Sequence, residues 1–146
     1  MDIGNICSRN PVTVPPNEPL SQVARLMHDR HVGTVIVVKQ PLDRPVPTGI
    51  ITDRDVVRAQ VEHHADLAML SAERVMTREP LVLEERLPLQ EGISQMCARG
   101  VRRAPVVDAT GALVGIVSSD DIVAAIADEL AELARLIAGQ PRREGA

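Results

Sequence analysis

Most of this 146-residue chain is one unit written twice. An offset of 69 sets Arg9 on Arg78, Pro11 on Pro80, Pro19-Leu20 on Pro88-Leu89, Met27 on Met96, Arg30 on Arg99, Val32 on Val101 and Val37-Val38 on Val106-Val107. At Gly49 and Gly115 the offset falls to 66, because the stretch 39–48 is three residues longer than 108–114. Turns absorb such length differences most easily. A repeat of this size constrains the fold more than any single residue does. Either copy alone would be a marginal domain, so the two must share an enclosed core.

Each copy reads in the same order. Asn10-Pro11-Val12-Thr13-Val14 and Glu79-Pro80-Leu81-Val82-Leu83 are short extended stretches. Pro19 or Pro88 then opens a helix at a position where its missing N–H is no loss. Leu20, Val23, Ala24 and Met27 in the first copy, and Leu89, Ile93, Met96 and Cys97 in the second, recur at helical spacing and predict buried faces. The β-branched run Thr34-Val35-Ile36-Val37-Val38, matched by Ala104-Pro105-Val106-Val107-Asp108, leads through a turn to a second strand and so predicts a hairpin. A second helix follows. The unit is therefore β-α-β-β-α with three strands per copy, an α+β (α/β-type) fold. The predicted division is 1–65 for the first copy, 66–138 for the second and 139–146 as a disordered tail after a helix stop at Gly139-Gln140-Pro141.

The strongest local match lies where the second strand meets the second helix. Gly49-Ile50-Ile51-Thr52-Asp53-Arg54-Asp55 is answered by Gly115-Ile116-Val117-Ser118-Ser119-Asp120-Asp121. Each places a hydroxyl three residues after the glycine and a carboxylate three residues after the hydroxyl. Thr52 or Ser118 fits the N-cap, with Asp55 or Asp121 as the acidic partner of a capping box. Taken singly, each corner is a helix cap. Two corners in register, with backbone N–H groups free at a helix start, also suit a phosphorylated, ribose-bearing ligand.

Composition removes several function classes. The chain has no Phe, Tyr or Trp, so base stacking on aromatic platforms is excluded, and a net charge of −4 opposes a duplex-binding surface. Cys7 and Cys97 form no CxxC pair, which favours tolerated thiols in a reducing compartment. His28, His31, His63 and His64 lack a Cys or carboxylate at metal-ligand spacing. No histidine follows His64, so Ser118-Ser119 has no triad-like context, and no catalytic constellation is predicted. Without an opening signal peptide or a membrane-length apolar run, the expectation is a cytoplasmic protein. From Val123, Ile126, Leu130, Leu133 and Ile137 follow alternating steps of three and four. Packing onto the protein's own core and a dimer seam both fit that stripe.

With the duplication, the element order and the paired Gly-x-x-Thr/Ser-x-x-Asp corners, the chain resembles a stand-alone pair of cystathionine β-synthase (CBS) domains, a Bateman module. The resemblance covers nearly all of residues 1–138. It implies two pseudo-twofold related repeats, two clefts for adenosine-containing ligands (AMP, ADP, ATP or S-adenosylmethionine), no catalytic cofactor, and a homodimer shaped as a flat disk. It makes Asp55 and Asp121 ribose acceptors and brings Thr52, Asp53, Arg54, Ser118, Ser119 and Asp120 to the same corners. Arg102 and Arg103 would face phosphate, a reading favoured over a solvated charge pair. Asn10, Pro11, Thr13 and Pro15 would border the adenine, as would residues 79–84. Repeat 1 departs from the pattern, with Gly33-Thr34 in place of the arginines and Ile36 in place of Pro105, so unequal clefts are expected. The functional expectation is a sensor acting on an unidentified protein in trans. The alternative is a structural or oligomerising module with degenerate clefts.

Overall fold

The computed structural model describes residues 1–64 and 66–144, with side chains described as far as Gly139. The helices are α1 (Ile3–Ile6), α2 (Leu20–Arg30), α3 (Asp53–His63), α4 (Ala72–Val75), α5 (Leu89–Arg99) and α6 (Ser119–Glu144). The strands are β1 (Thr13–Val14), β2 (Thr34–Lys39), β3 (Val46–Thr52), β4 (Thr77–Arg78), β5 (Leu83–Glu84), β6 (Arg103–Val107) and β7 (Leu113–Ser118). The β-α-β-β-α order thus occurs twice. In both copies the first strand pairs parallel with the second, and the second pairs antiparallel with the third. Both hairpins even break register at the same place, at Val37/Val38 and Val106/Val107.

Three sequence expectations need correction. The first sheet has four strands rather than three, because β4 pairs with β3 at Gly49 and Ile50. Cys97 is exposed, not buried, and the inner face of α5 is formed by Leu89, Gly92 and Met96. The last helix does not stop at Gly139-Gln140-Pro141. It continues to Glu144, so the low helix propensity of Gly139 and Pro141 does not end it. Residues 145 and 146 of the expected tail lie outside the described residues.

The connection between the copies was not visible in the periodicity. The single shared core expected from the sequence is two clusters, one in each copy, and the short helix before each copy packs into the core of the other. Ile3 of α1 is fully buried among Leu83, Leu89, Val106 and Val117 of the second copy, and Ala72 of α4 is fully buried among Leu20, Val23, Val35 and Ile51 of the first. Backbone bonds fix both crossings: Ile3 N donates to Leu87 O at 2.9 Å, and Leu20 N donates to Leu70 O at 2.8 Å. Ser8 bridges Ile116 as Thr77 pairs with Ile50, so each crossing ends on the motif strand of the far copy.

This crossing explains the glycine that opens each motif. A Cβ on Gly115 would sit 2.6 Å from the Ser8 carbonyl oxygen and 2.8 Å from Cys7 Sγ, while one on Gly49 would overlap the Met76 side chain. Gly115→Ala is expected to cost about 1–3 kcal/mol, seen as a melting temperature lower by about 3–10 °C. Gly49→Ala should cost less, because a thioether can swing aside and a hydrogen-bonded carbonyl cannot. Thermal denaturation of the two variants checks the order, and a Gly115→Ala protein as stable as wild type would mean that the crossing is looser than this.

Candidate functional site

Both motif corners are built as capping boxes. Asp55 N donates to Thr52 Oγ1 at 3.2 Å and Thr52 N donates to Asp55 Oδ2 at 2.8 Å; the counterparts are Asp121 N to Ser118 Oγ at 3.1 Å and Ser118 N to Asp121 Oδ2 at 2.9 Å. The cap occupies one carboxylate oxygen. Among the described residues Oδ1 of each aspartate accepts no protein hydrogen bond, so capping leaves an acceptor over. Each helix start is also tied to the strand beside it, Asp53 N donating to Gly33 O at 3.0 Å and Ser119 N to Arg102 O at 2.8 Å.

A cleft of about 370 Å³ opens at the second corner, within the usual range for small-molecule sites of roughly 300–1,000 Å³. Its walls come from both copies. The second copy contributes Arg103, Ile116, Ser118 and Asp121, the first contributes Asn10, Pro11, Val12, Val32, Gly33, Thr34 and Ile36, and the crossing segment adds Ser8. The lining is apolar on the side of Val12, Val32, Ile36 and Ile116. It carries one carboxylate and one guanidinium. The Thr34 hydroxyl is buried and has no partner among the described residues, an orphan polar atom in the wall of a cleft. A Cβ on Gly33 would come to 3.3 Å from Asp53 Oδ2, so glycine leaves room for the start of α3 beside this wall.

The geometry divides the sequence-derived candidates. Asn10, Pro11, Arg103, Ser118 and Asp121 share the cleft. Thr13 and Pro15 are exposed and line no part of it; Thr13 alternates with the buried Val14, so one faces solvent because the other faces the core. Asp53, Arg54, Arg102, Ser119 and Asp120 also lie outside this lining. Thr52 and Asp55 form the first corner, where Asp55 borders a separate hollow of about 220 Å³ with Arg58, Glu62, His63 and Arg74. Ser8, Val32, Thr34, Ile36 and Ile116 were not singled out from the sequence as lining residues. Only the offset alignment hints at them, through Gly33-Thr34 standing opposite Arg102-Arg103.

Other reactive groups are quiet. Burial pushes the Cys7 thiol up, with the nearby Arg9 guanidinium pulling the other way, so the thiol form prevails at neutral pH. Among the described residues no group of three or more His, Cys, Asp or Glu side chains converges on a metal-sized site, and no helix is long and apolar enough to cross a membrane.

Comparison with known proteins agrees with this architecture. The family model for the CBS domain matches residues 3–62 and again 72–128. The uncharacterized protein MK0525 of Methanopyrus kandleri is 31% identical over 123 residues, 84% of this chain but 61% of MK0525. The CBS domain-containing protein YhcV of Bacillus subtilis is 32% identical over 110 residues, 75% of this chain and 74% of YhcV. The chain also matches 22% of the length of the inosine-5'-monophosphate dehydrogenase of Korarchaeum cryptofilum, at 28% identity over 115 residues, 78% of this chain. Among solved structures, the CBS domain pair of protein MJ0100, in complex with 5-methylthioadenosine and S-adenosyl-L-methionine, superposes with a TM-score of 0.75 over 88% of this chain and 98% of that one, at 24% identity. CBSX2 in complex with AMP gives 0.73 over 87% and 96%, at 22% identity. With both copies matched by one family model and the pair sharing its fold with solved CBS pairs, the chain belongs to the CBS domain family.

Proposed function

We propose that this CBS pair is a non-catalytic sensor that binds an adenosine-containing ligand between its repeats and signals to a protein partner in trans, working as a homodimer. The observation that carries the reading is the composite cleft, where the spare oxygen of Asp121 and the orphan hydroxyl of Thr34 belong to different repeats. A ligand spanning both would fix the pose of one repeat against the other. Such a ligand shifts an equilibrium only by its different affinity for the two poses. A carboxylate oxygen suits a ribose hydroxyl, and Val12, Val32, Ile36 and Ile116 suit an adenine face. That MJ0100 and CBSX2 hold adenosyl ligands in the same fold supports the ligand class.

The two clefts should differ in charge. Asp55 borders its own hollow with Arg58, Arg74, Glu62 and His63, whereas a single guanidinium, Arg103, lines the Asp121 cleft. Guanidinium forks favour phosphate at the Asp55 hollow. With Gly33-Thr34 in its wall where the other copy carries Arg102-Arg103, and Arg103 as its guanidinium, the Asp121 cleft is expected to take a ligand of few phosphates.

Thermal shift with AMP, ADP, ATP and S-adenosylmethionine tests the sensor. At ligand concentrations of about 100 times Kd, binding should add about 2.7 kcal/mol of stability. If all four leave the melting temperature unchanged at millimolar concentration, the clefts are degenerate. The exposed stripe on α6 would then favour the structural reading.

A further inference from the structure

The crossing segments redraw the boundary between the halves of the molecule. Sheet pairing and core packing divide the described residues into one body of 10–64 and 66–78 and another of 1–9 and 79–144, and the chain passes between them after Arg9 and again after Arg78. Neither sheet and neither core cluster borrows a residue from the other body. Among the described residues two hydrogen bonds join the bodies. Leu113 N donates to Pro45 O at 2.7 Å, and Arg44 Nη1 donates to Thr110 O at 3.3 Å. Both come from the turn of the first hairpin, the stretch that is three residues longer than its counterpart.

That turn carries strain where it reaches across. Leu42 (φ 53°) and Asp43 (φ 59°) take left-handed backbone values, which residues with side chains keep only where their surroundings hold them. The receiving turn is closed by Asp108, whose Oδ1 accepts from Thr110 N at 2.8 Å, Thr110 Oγ1 at 2.6 Å and Ala112 N at 3.1 Å. The Thr110 hydroxyl holds the Asp108 carboxyl below its ordinary range, with a smaller pull from the Arg44 charge, so the two turns attract. Arg44 Nε is buried without a partner among the described residues, so this side chain is enclosed at the contact rather than laid over it.

The contact lies at the far end of both hairpins from the cleft. Thr34 pairs with Thr52 and Arg103 with Ser118 at the cleft end, while Lys39 pairs with Val46 and Val107 with Leu113 at the turn end, roughly 17–20 Å away along the strands. Ile36 and Val38 alternate with the core residues Val35 and Val37 and are buried on the opposite face of β2, in neither cluster, and Ile36 shares the cleft with Ile116 of the other body. Apolar packing of that kind is non-directional and tolerates a small rotation, whereas the paired bonds at the turns fix a point.

We propose that the long first hairpin is a clasp that pins the two bodies at their turn end, so that they open and close at the cleft end about Arg44 and Pro45. What closes the cleft rests on the sensor reading; the clasp itself belongs to the ligand-free chain.

Distances between the bodies test it in the full chain. Spin labels at Asp29→Cys and Ala98→Cys, exposed positions outside the cleft on the two bodies, are read with Cys7 and Cys97 replaced by serine. With the hairpin intact and no ligand, they should give one narrow distance. Deletion of residues 41–43, which gives the turn the length of its counterpart, should broaden it with unchanged circular dichroism, and Arg44→Ala should broaden it less. Hydrogen exchange should find the Leu113 amide protected in wild type and unprotected in the deletion variant. If the closed pose falls to about a tenth of the population, apparent affinity for AMP or S-adenosylmethionine falls about tenfold. An unprotected Leu113 amide in wild type overturns the clasp, as does a deletion variant that keeps the narrow distance. Should the deletion variant not fold, Arg44→Ala with an unbroadened distance overturns it. Equal affinity despite a broadened distance overturns the pivot. If neither ligand binds either protein, the sensor reading fails, and the ligand-free distances still decide the clasp.

Discussion

Asp121→Asn is expected to weaken adenosyl-ligand binding about tenfold to a hundredfold, the loss of one hydrogen bond to a charged group, while leaving the ligand-free protein close to wild type in stability. The two effects separate because the carboxylate has two oxygens. Oδ2 accepts from the Ser118 backbone N–H and closes the cap. An asparagine keeps a carbonyl oxygen for that bond. What it loses is the charge and the second acceptor, and an NH₂ group stands where a ribose hydroxyl would donate. Asp121→Ala removes both functions, so it should also lower stability by about 0.5–1.5 kcal/mol, the net worth of the lost bond from Ser118 N. Calorimetric titration with AMP and with S-adenosylmethionine, alongside melting curves of both variants, reads the two effects apart. If Asp121→Asn binds like wild type, the motif is a cap and nothing more. The parallel variant Asp55→Asn reports on the other cleft.

What could be read from the sequence is what depends on short spacing. The capping boxes need residues three apart, and the hydroxyl and carboxylate at each corner fall where the spacing put them. The offset alignment likewise carried the element order, because two copies with the same turns and glycines must fold alike. The cleft was only half legible. Asp121 and Ser118 stand out locally, but their neighbours Asn10, Pro11 and Thr34 come from the other copy and meet them only through tertiary packing. The crossings were hidden for a related reason: α1 and α4 are each four residues long, too short to show a period, and Ile3 and Ala72 are unremarkable until their contacts are seen. The α6 stripe was visible, and its exposure speaks against one of its two readings, packing onto the protein's own core.

Ile3→Ala is expected to cost about 2–5 kcal/mol although it alters a residue outside the second copy's own β-α-β-β-α sequence, because Ile3 is fully buried in that copy's core. Its partner there is a hole. A Cβ on Gly92 would lie 2.5 Å from Ile3 Cδ1 and 2.9 Å from Cγ1, so α5 has given up a side chain where Ile3 enters. The first copy solves the same contact the other way round. By the offset of 69, Ile3 corresponds to Ala72 and Gly92 to Val23, a small residue on the crossing segment and a large one on the helix, both fully buried in one cluster. Each core is thus shaped for its own crossing segment and mismatched to the other: Ile3 would collide with Val23, and Ala72 would leave a void over Gly92. That size exchange would disfavour docking of either segment in the wrong repeat. Gly92→Val should therefore destabilise by overpacking against Ile3, about 1–3 kcal/mol. The double variant Ile3→Ala/Gly92→Val recreates the arrangement of the first copy and should be more stable than the sum of the singles predicts. Residues in direct contact commonly couple by about 0.5–3 kcal/mol. Urea denaturation of the four proteins measures that coupling, and strict additivity would show that the two side chains do not share the space described.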